Sequence, residues 1–270
     1  MRLAFLVFLL ALAVRATGVA APSSPILHAH AHNDYEHARP LLDALDHGFT
    51  SVEADVHLVD GRLLVAHDRD KVRPDRTLEA LYLDPLAERI RTNGGFVYDR
   101  ETEFTLLVDI KADAEGSYAV LRGLLGRQPA LFTRFTDTHQ TRGPITVILS
   151  GDRPTERVKS EAARWCAIDG RLSDLATNPS PFLIPLISES WRPTFPWFRE
   201  ERLTESDRQR LRGLVRQAHD QGRRIRFWGV QDEPFAWREL KDAGVDMINT
   251  DRLADLREFL LKSSSPSPRR

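Results

Sequence analysis

The sequence predicts an α/β fold, a single (β/α)8 TIM barrel, on three observations. Short apolar, β-branched runs alternate with longer amphipathic stretches, the pattern of βα units around a parallel sheet. The runs number roughly eight, which is the count that closes a barrel. Beyond its first segment the chain is about 250 residues long, the size of one such domain.

In chain order the strand candidates are Ile26 to Ala31, Ser51 to Val56, Thr105 to Ile110, Ile145 to Leu149, Trp165 to Ile168, Leu183 to Ile187, Arg224 to Trp228 and Asp246 to Asn249. Helical stretches fall between them: Arg39 to Asp46, Leu78 to Arg91, Ser117 to Leu125, Thr155 to Arg164, Glu205 to Gln221 and Pro234 to Ala243. Gly48, Gly222 and Gly244 each follow a helix and precede a strand, where a C-terminal cap needs a left-handed backbone.

The expected divisions are a signal peptide at 1–21, the barrel over 22–262 and a disordered tail over 263–270. Arg2 precedes the apolar run Leu3 to Val14, and small residues follow as far as Ala21. That run is shorter than the ~20 residues a membrane span needs, so export to the periplasm or outside the cell is the expectation. The tail is Ser- and Pro-rich with nothing to bury. Cys166 is the only cysteine, which excludes an intrachain disulfide and any multi-cysteine metal site, and its apolar setting reads as a buried strand residue. Lys plus Arg total 38 against 39 Asp plus Glu, so the net charge of -1 gives no field that would draw nucleic acid. Any anionic substrate must be recognised locally.

Barrel chemistry sits at the C-terminal ends of the strands, and polar residues concentrate there. The first strand ends in His28-Ala29-His30-Ala31-His32-Asn33-Asp34, the second carries Glu53-Ala54-Asp55, a hairpin after it ends in His67-Asp68, and the third ends in Asp109-Ile110-Lys111. Glu53 and Asp55 lie two apart in an extended segment, so both carboxylates project to one face and can share a hard divalent cation, Mg2+ or Ca2+. The competing reading of that segment is a solvent-facing edge strand with alternating acids. Lys111 shares a face with Asp109, where it can hold a phosphoryl oxygen or close a salt bridge at the rim. Trp228, at the end of the seventh strand, can close a pocket against an organic group or pack in the core. Trp191, Arg192 and Trp197 are candidates for a substrate loop. His37, His47, His57, His139 and His219 read as solvated residues on helices or surface segments.

His32-Asn33, Glu53-x-Asp55, the Leu63-Leu64-Val65-Ala66-His67-Asp68 run after Asp60-Gly61, and Gly244-Val245-Asp246-Met247-Ile248-Asn249-Thr250-Asp251 together resemble the glycerophosphodiester phosphodiesterase and phosphatidylinositol-specific phospholipase C superfamily. The His-x-His-Asn-Asp-Tyr opening is similar to the branch named for altered inheritance of mitochondria. The usual His-Arg-Gly opening and the Pro-Glu-Asn-Thr element of bacterial glycerophosphodiesterases are missing. The resemblance implies a metal-dependent phosphodiester hydrolase acting on glycerophosphodiesters or phospholipid-derived diesters. It implies His32 and His67 as the acid–base pair and Asn33, Glu53, Asp55 and Asp109 as metal ligands. Asp109 stands where the family usually has glutamate.

The chemistry suits those residue types. Cleaving a phosphodiester needs one proton taken, one given, and cationic stabilisation of the phosphoryl oxygens. Two imidazoles with pKa near ~6.5 and a metal supply all three. The expected partner is a small phosphodiester or phospholipid, with no nucleic acid, a monomeric state and transient membrane-surface contact through Phe195, Pro196, Trp197 and Phe198. Two other classes fit parts of the sequence. His28-x-His30-x-His32 with Asp251 matches the start and end of a metal-dependent amidohydrolase barrel, but the fifth and sixth strands offer no imidazole. A barrel that binds a phosphorylated ligand without cleaving it is the third class. His30 and His32 share a face, and His32 is preferred because Asn33 completes the pair.

Overall fold

The computed structural model describes residues 24–100, 102–195 and 202–264. The expected signal segment, Pro196, Trp197, Phe198 and the tail beyond Ser264 lie outside the described residues. Eight parallel strands form the barrel: β1 (Ile26–Ala31), β2 (Phe49–Val59), β3 (Phe104–Ile110), β4 (Ile145–Gly151), β5 (Ala167–Gly170), β6 (Leu186–Ser190), β7 (Arg224–Trp228) and β8 (Met247–Thr250). Neighbours in sequence are neighbours in the sheet, and β1 pairs with both β2 and β8, which closes the ring. A strand at Arg62–Val65 folds back antiparallel on β2. Its two-residue turn, Asp60-Gly61, has positive φ at both positions (47° and 73°), which matches the right-handed twist of the strands it joins.

Alternation along each strand divides the barrel into two environments. Val52, Ala54, Val56, Leu106, Val108, Ile110, Val147, Leu149, Ile225 and Phe227 face outward into the main core beneath the helices. Leu107, Ile148, Leu186 and Met247 face inward and form a small separate cluster that fills the lower barrel. Above it the inward residues are polar, and the barrel mouth is therefore charged.

The strands at β5 and β6 run two or three residues further than the apolar runs suggested. Asp169, Ser188 and Glu189 are paired strand residues despite their polarity. Apolarity marks the outward-facing residues and not the hydrogen-bonded extent. The helix expected over Leu78 to Arg91 opens with a π-helical turn, Glu79–Leu83, before the α-helix Asp84–Thr92. Pro85 has no N–H to donate into the preceding turn, which removes one rung of the α-helical ladder there. The helix expected over Thr155 to Arg164 stops at Ser160. Arg164 is drawn away by backbone pairing with Phe135, and its buried guanidinium donates to the Phe182 carbonyl at 3.1 Å. The last helix, Leu253–Ser264, extends two residues past the expected domain end at 262. Among the described residues no helix is long and apolar enough to cross a membrane.

Cys166 is buried one residue before β5, and burial pushes its thiol up to about 12. At pH 8 the thiolate fraction is then about one part in ten thousand. Native protein should leave a colorimetric disulfide reagent unreacted over an hour and release one equivalent in denaturant. Rapid labelling of the native state would contradict this packing.

Candidate active site

One pocket of about 420 Å3 opens at the C-terminal mouth. It is lined by His32, Asn33, Glu53, Asp55, His67, Asp109, Lys111 and Trp228, so the eight residues singled out from the sequence meet in one place. Register explains much of this. Asp55 on β2 stands level with Asp109 on β3, and Glu53 lies one inward step below Asp55. The three carboxylates offer oxygens within 4.8 Å of one another, close enough to share one cation.

Asp55 organises the centre. Its Oδ2 accepts from the Tyr35 hydroxyl at 2.7 Å and from Lys111 Nζ at 2.7 Å, and lies 2.9 Å from His67 Nδ1. Its Oδ1 is buried and has no hydrogen-bond partner among the described residues. An acceptor left bare in that setting is what a cation-binding carboxylate needs. Lys111 also reaches Asp109 Oδ1 at 3.2 Å. Burial raises the Asp109 pKa, against the opposing charge of Lys111, and the charges of Asp55 and Glu53 raise it further.

Two imidazoles sit in parallel arrangements. His67 Nδ1 faces Asp55, and His32 Nδ1 faces Asp251 Oδ1 at 2.9 Å. Each carboxylate holds one ring nitrogen, and among the described residues the Nε2 of each ring has no protein partner. Burial lowers the His32 pKa, but the hydrogen bond to Asp251 and the charges of Glu53 and Asp251 outweigh it, so the net shift is upward. Asn33 bridges the two halves: its Nδ2 is 3.3 Å from Asp251, and its Oδ1 accepts from Tyr35 at 2.7 Å. Asn33 itself has a left-handed backbone (φ 48°), a conformation asparagine tolerates better than most residues.

Beneath this lies a buried ionic layer. Arg226 on β7 donates to Glu53 Oε2 at 2.9 Å and to Ser188 Oγ at 2.7 Å, and its Nη1 lies 2.8 Å from His30 Nε2. His30 is fully buried, with Nδ1 2.7 Å from Ser51 Oγ and Nε2 3.2 Å from Glu53. His30 therefore braces Glu53 from below, while His32 lines the pocket. Burial raises the Glu53 pKa, but the charge of Arg226, the hydrogen bond with His30 and the charges of His32 and His30 together outweigh it and hold Glu53 well below the usual carboxylate range.

Burial pulls His30 down to about 4, with Arg226 adding to the effect. A depressed folded-state value leaves full stability above 6.5 and loses it as pH falls from 6.5 toward 4, by at most about 1.4 kcal/mol per pH unit. Glu53 acts in a separate window, below its ordinary value of 4.5. The urea midpoint should therefore drop between pH 6.5 and 4.5, and less so in His30→Asn. An identical pH profile in that variant would remove His30 as the cause.

Several expectations are corrected. His57 is a buried strand residue, and its Nε2 lies 3.1 Å from the His67 carbonyl, steadying that backbone. Trp191 and Phe195 are buried and stacked at 4.5 Å with Phe227 edge-on, so neither supplies a pocket wall or an exposed rim. Arg192 does not line the pocket. His28 is exposed at the opposite end of β1, beside the Asp246 carbonyl, which separates it from His30 and His32 and dismantles the amidohydrolase-like triplet. Ser150, Gly151, Arg171 and Arg226 also line the pocket and escaped sequence reading. Arg226 was detectable, since it shares a strand face with Trp228.

The fold is a (β/α)8 barrel that gathers its polar layer at the C-terminal mouth. A glycerophosphodiester phosphodiesterase from Parabacteroides distasonis superposes with a TM-score of 0.54 at 16% identity, covering 90% of this chain and all of that one. A calcium-dependent phosphoinositol-specific phospholipase C from Pseudomonas sp. gives 0.58 at 16% identity, covering 87% and 92%. The glycerophosphoryl diester phosphodiesterase family model matches residues 129–255, and the AIM6-like phosphodiesterase domain model matches 21–168. Altered inheritance of mitochondria protein 6 of Eremothecium gossypii is 31% identical over 275 residues, covering 87% of this chain and 70% of that protein. Its homologue in Arthroderma benhamiae is 28% identical, covering 82% and 80%. The chain belongs to the AIM6-like phosphodiesterase domain family.

Proposed function

We propose that this protein hydrolyses phosphodiesters with the help of a hard divalent ion, Mg2+ or Ca2+, and that glycerophosphodiesters or phospholipid-derived diesters are its substrates. One observation carries the reading: two carboxylate-held imidazoles and three converging carboxylates surround a single pocket, and one carboxylate oxygen there is buried and bare. The calcium dependence named for one structural neighbour agrees with it.

Asn33, Glu53, Asp55 and Asp109 would hold the ion, with Asp55 Oδ1 the oxygen most in need of it. The donor set is all oxygen, which suits a hard cation and not a thiolate-seeking one. When bound, the ion supplies charge neutralisation at the phosphoryl oxygens and a lowered pKa for a coordinated hydroxyl. The protein supplies the rest. Asp251 and Asp55 fix the Nδ1 of His32 and His67, which presents both Nε2 atoms to the substrate. One imidazole takes the proton of the attacking hydroxyl, and the other gives a proton to the departing alkoxide. Lys111 contributes a positive charge to a phosphoryl oxygen. Trp228, 40% exposed, offers an aromatic wall to the organic part.

Hydrolysis of glycerophosphocholine and bis(p-nitrophenyl) phosphate tests the proposal. Turnover should disappear with chelator and return with Mg2+ or Ca2+, and the same ions should raise the melting temperature of the chelator-treated protein. Undiminished turnover in chelator would remove the metal. Binding of diesters without turnover under any hard divalent ion would leave a ligand-binding barrel.

A further inference from the structure

The three converging carboxylates do not each have a cation of their own. Among the described residues Glu53 is paired with Arg226 at 2.9 Å, whereas Asp55 and Asp109 share a single ammonium, Lys111 Nζ, at 2.7 and 3.2 Å. Affinity for a hard divalent ion follows the charge its ligands offer, and Lys111 cancels one of those charges.

The lysine also stands against the oxygens such an ion needs. Asp55 Oδ2 accepts from Tyr35 and Lys111 and lies beside His67 Nδ1, so an ion must take the bare Oδ1 of the same carboxylate. On Asp109, Lys111 reaches Oδ1. An ion shared by Asp55 and Asp109 therefore comes close to the ammonium, in a place where water screens their repulsion poorly. The Lys111 backbone is fixed, because its N–H donates to the Val56 carbonyl at 3.0 Å. Its side chain is a flexible four-carbon stem, so the ammonium can leave the two carboxylates without any movement of β3.

We propose that Lys111 exchanges partners: a divalent ion on Asp55 and Asp109 drives its ammonium off these carboxylates, and the phosphoryl group of the diester receives it, so that ion and diester bind cooperatively. The exchange rests on the metal-dependent diesterase reading and adds to it a coupling between the two ligands. By linkage the coupling is reciprocal: the diester tightens the ion by the same factor as the ion tightens the diester. A lysine that stayed on its carboxylates while touching phosphate would strengthen diester binding equally with and without the ion, and would add nothing to the coupling.

Ca2+ dissociation constants measured by calorimetry, with and without saturating glycerophosphocholine, test the exchange. A His32→Ala background keeps turnover out of the comparison and leaves the contacts of Asp55 in place, since that ring bonds to Asp251. In this background Lys111→Met should tighten Ca2+ at least tenfold in the absence of diester. The further tightening that glycerophosphocholine brings should be at least fivefold smaller in Lys111→Met than with the lysine present. Direct contact between ion and diester is common to both proteins, so the difference between their couplings belongs to Lys111. Lys111→Arg restores the charge and should return Ca2+ affinity to within threefold of the lysine protein, and melting curves verify that each variant is folded. Weaker or unchanged Ca2+ binding in Lys111→Met, equal coupling in the two proteins, or tight Ca2+ binding in Lys111→Arg as well would each overturn the exchange and leave the metal-dependent reading standing. No binding of Ca2+ or Mg2+ to any of the proteins would defeat the metal reading, and the exchange with it.

Discussion

His67→Ala should lower turnover of glycerophosphocholine by about a thousandfold, the middle of the range for losing a positioned proton-transfer group, while stability stays within about 0.5 kcal/mol. The two halves of that result come from one geometry. The His67 side chain is 58% exposed, and among the described residues it hydrogen-bonds only with Asp55 and Tyr35, through Nδ1, so its removal opens no buried cavity. Asp55 Oδ2 keeps two donors, Tyr35 and Lys111, after the ring is gone. A stable protein without proton transfer is therefore expected. His30→Ala reverses the pattern, since that ring is fully buried and braces Glu53: folding suffers first. Turnover by His67→Ala within threefold of wild type would remove His67 from the reaction. Melting curves of both variants, run beside the kinetics, separate the two kinds of loss.

Arg226→Met should destabilise the protein by about 3–5 kcal/mol, the usual effect of stranding one member of a buried ion pair. Arg226 and Glu53 are both almost completely buried, and the guanidinium also serves Ser188 and faces His30. Without it, Glu53 keeps only a neutral imidazole for support and must either take a proton or remain an unmatched charge. Glu53→Gln combined with Arg226→Met should recover part of the loss, because no charge is then stranded. The same layer underlies the pocket floor, so the single variant should also lose divalent-ion binding. Chemical denaturation of the wild type, the single variant and the double variant decides the matter. Equal stability of single and double variants would show that the pair contributes through packing alone.

Reading the sequence located the barrel because outward strand residues must be apolar to meet the helices, and runs such as Leu106, Val108 and Ile110 advertise that requirement. The same alternation put Glu53 with Asp55 and Asp109 with Lys111, since residues two apart share a face at any register. It failed where polarity masked a strand, as at Asp169 and Ser188, and where a histidine's environment depended on a neighbour. His57 looked solvated because nothing local announces that Leu64 pairs across from it.

What the chain settles by itself is therefore the set of strands, their inward and outward faces, and the chemical types gathered at their ends. Which of two equivalent histidines faces the pocket was decided only by barrel closure. That closure brings Asp251 to His32 across 219 positions and Arg226 to Glu53 across 173. Pairing energies of that kind depend on distances of a few ångströms between residues that are remote in sequence, and local periodicity carries no record of them.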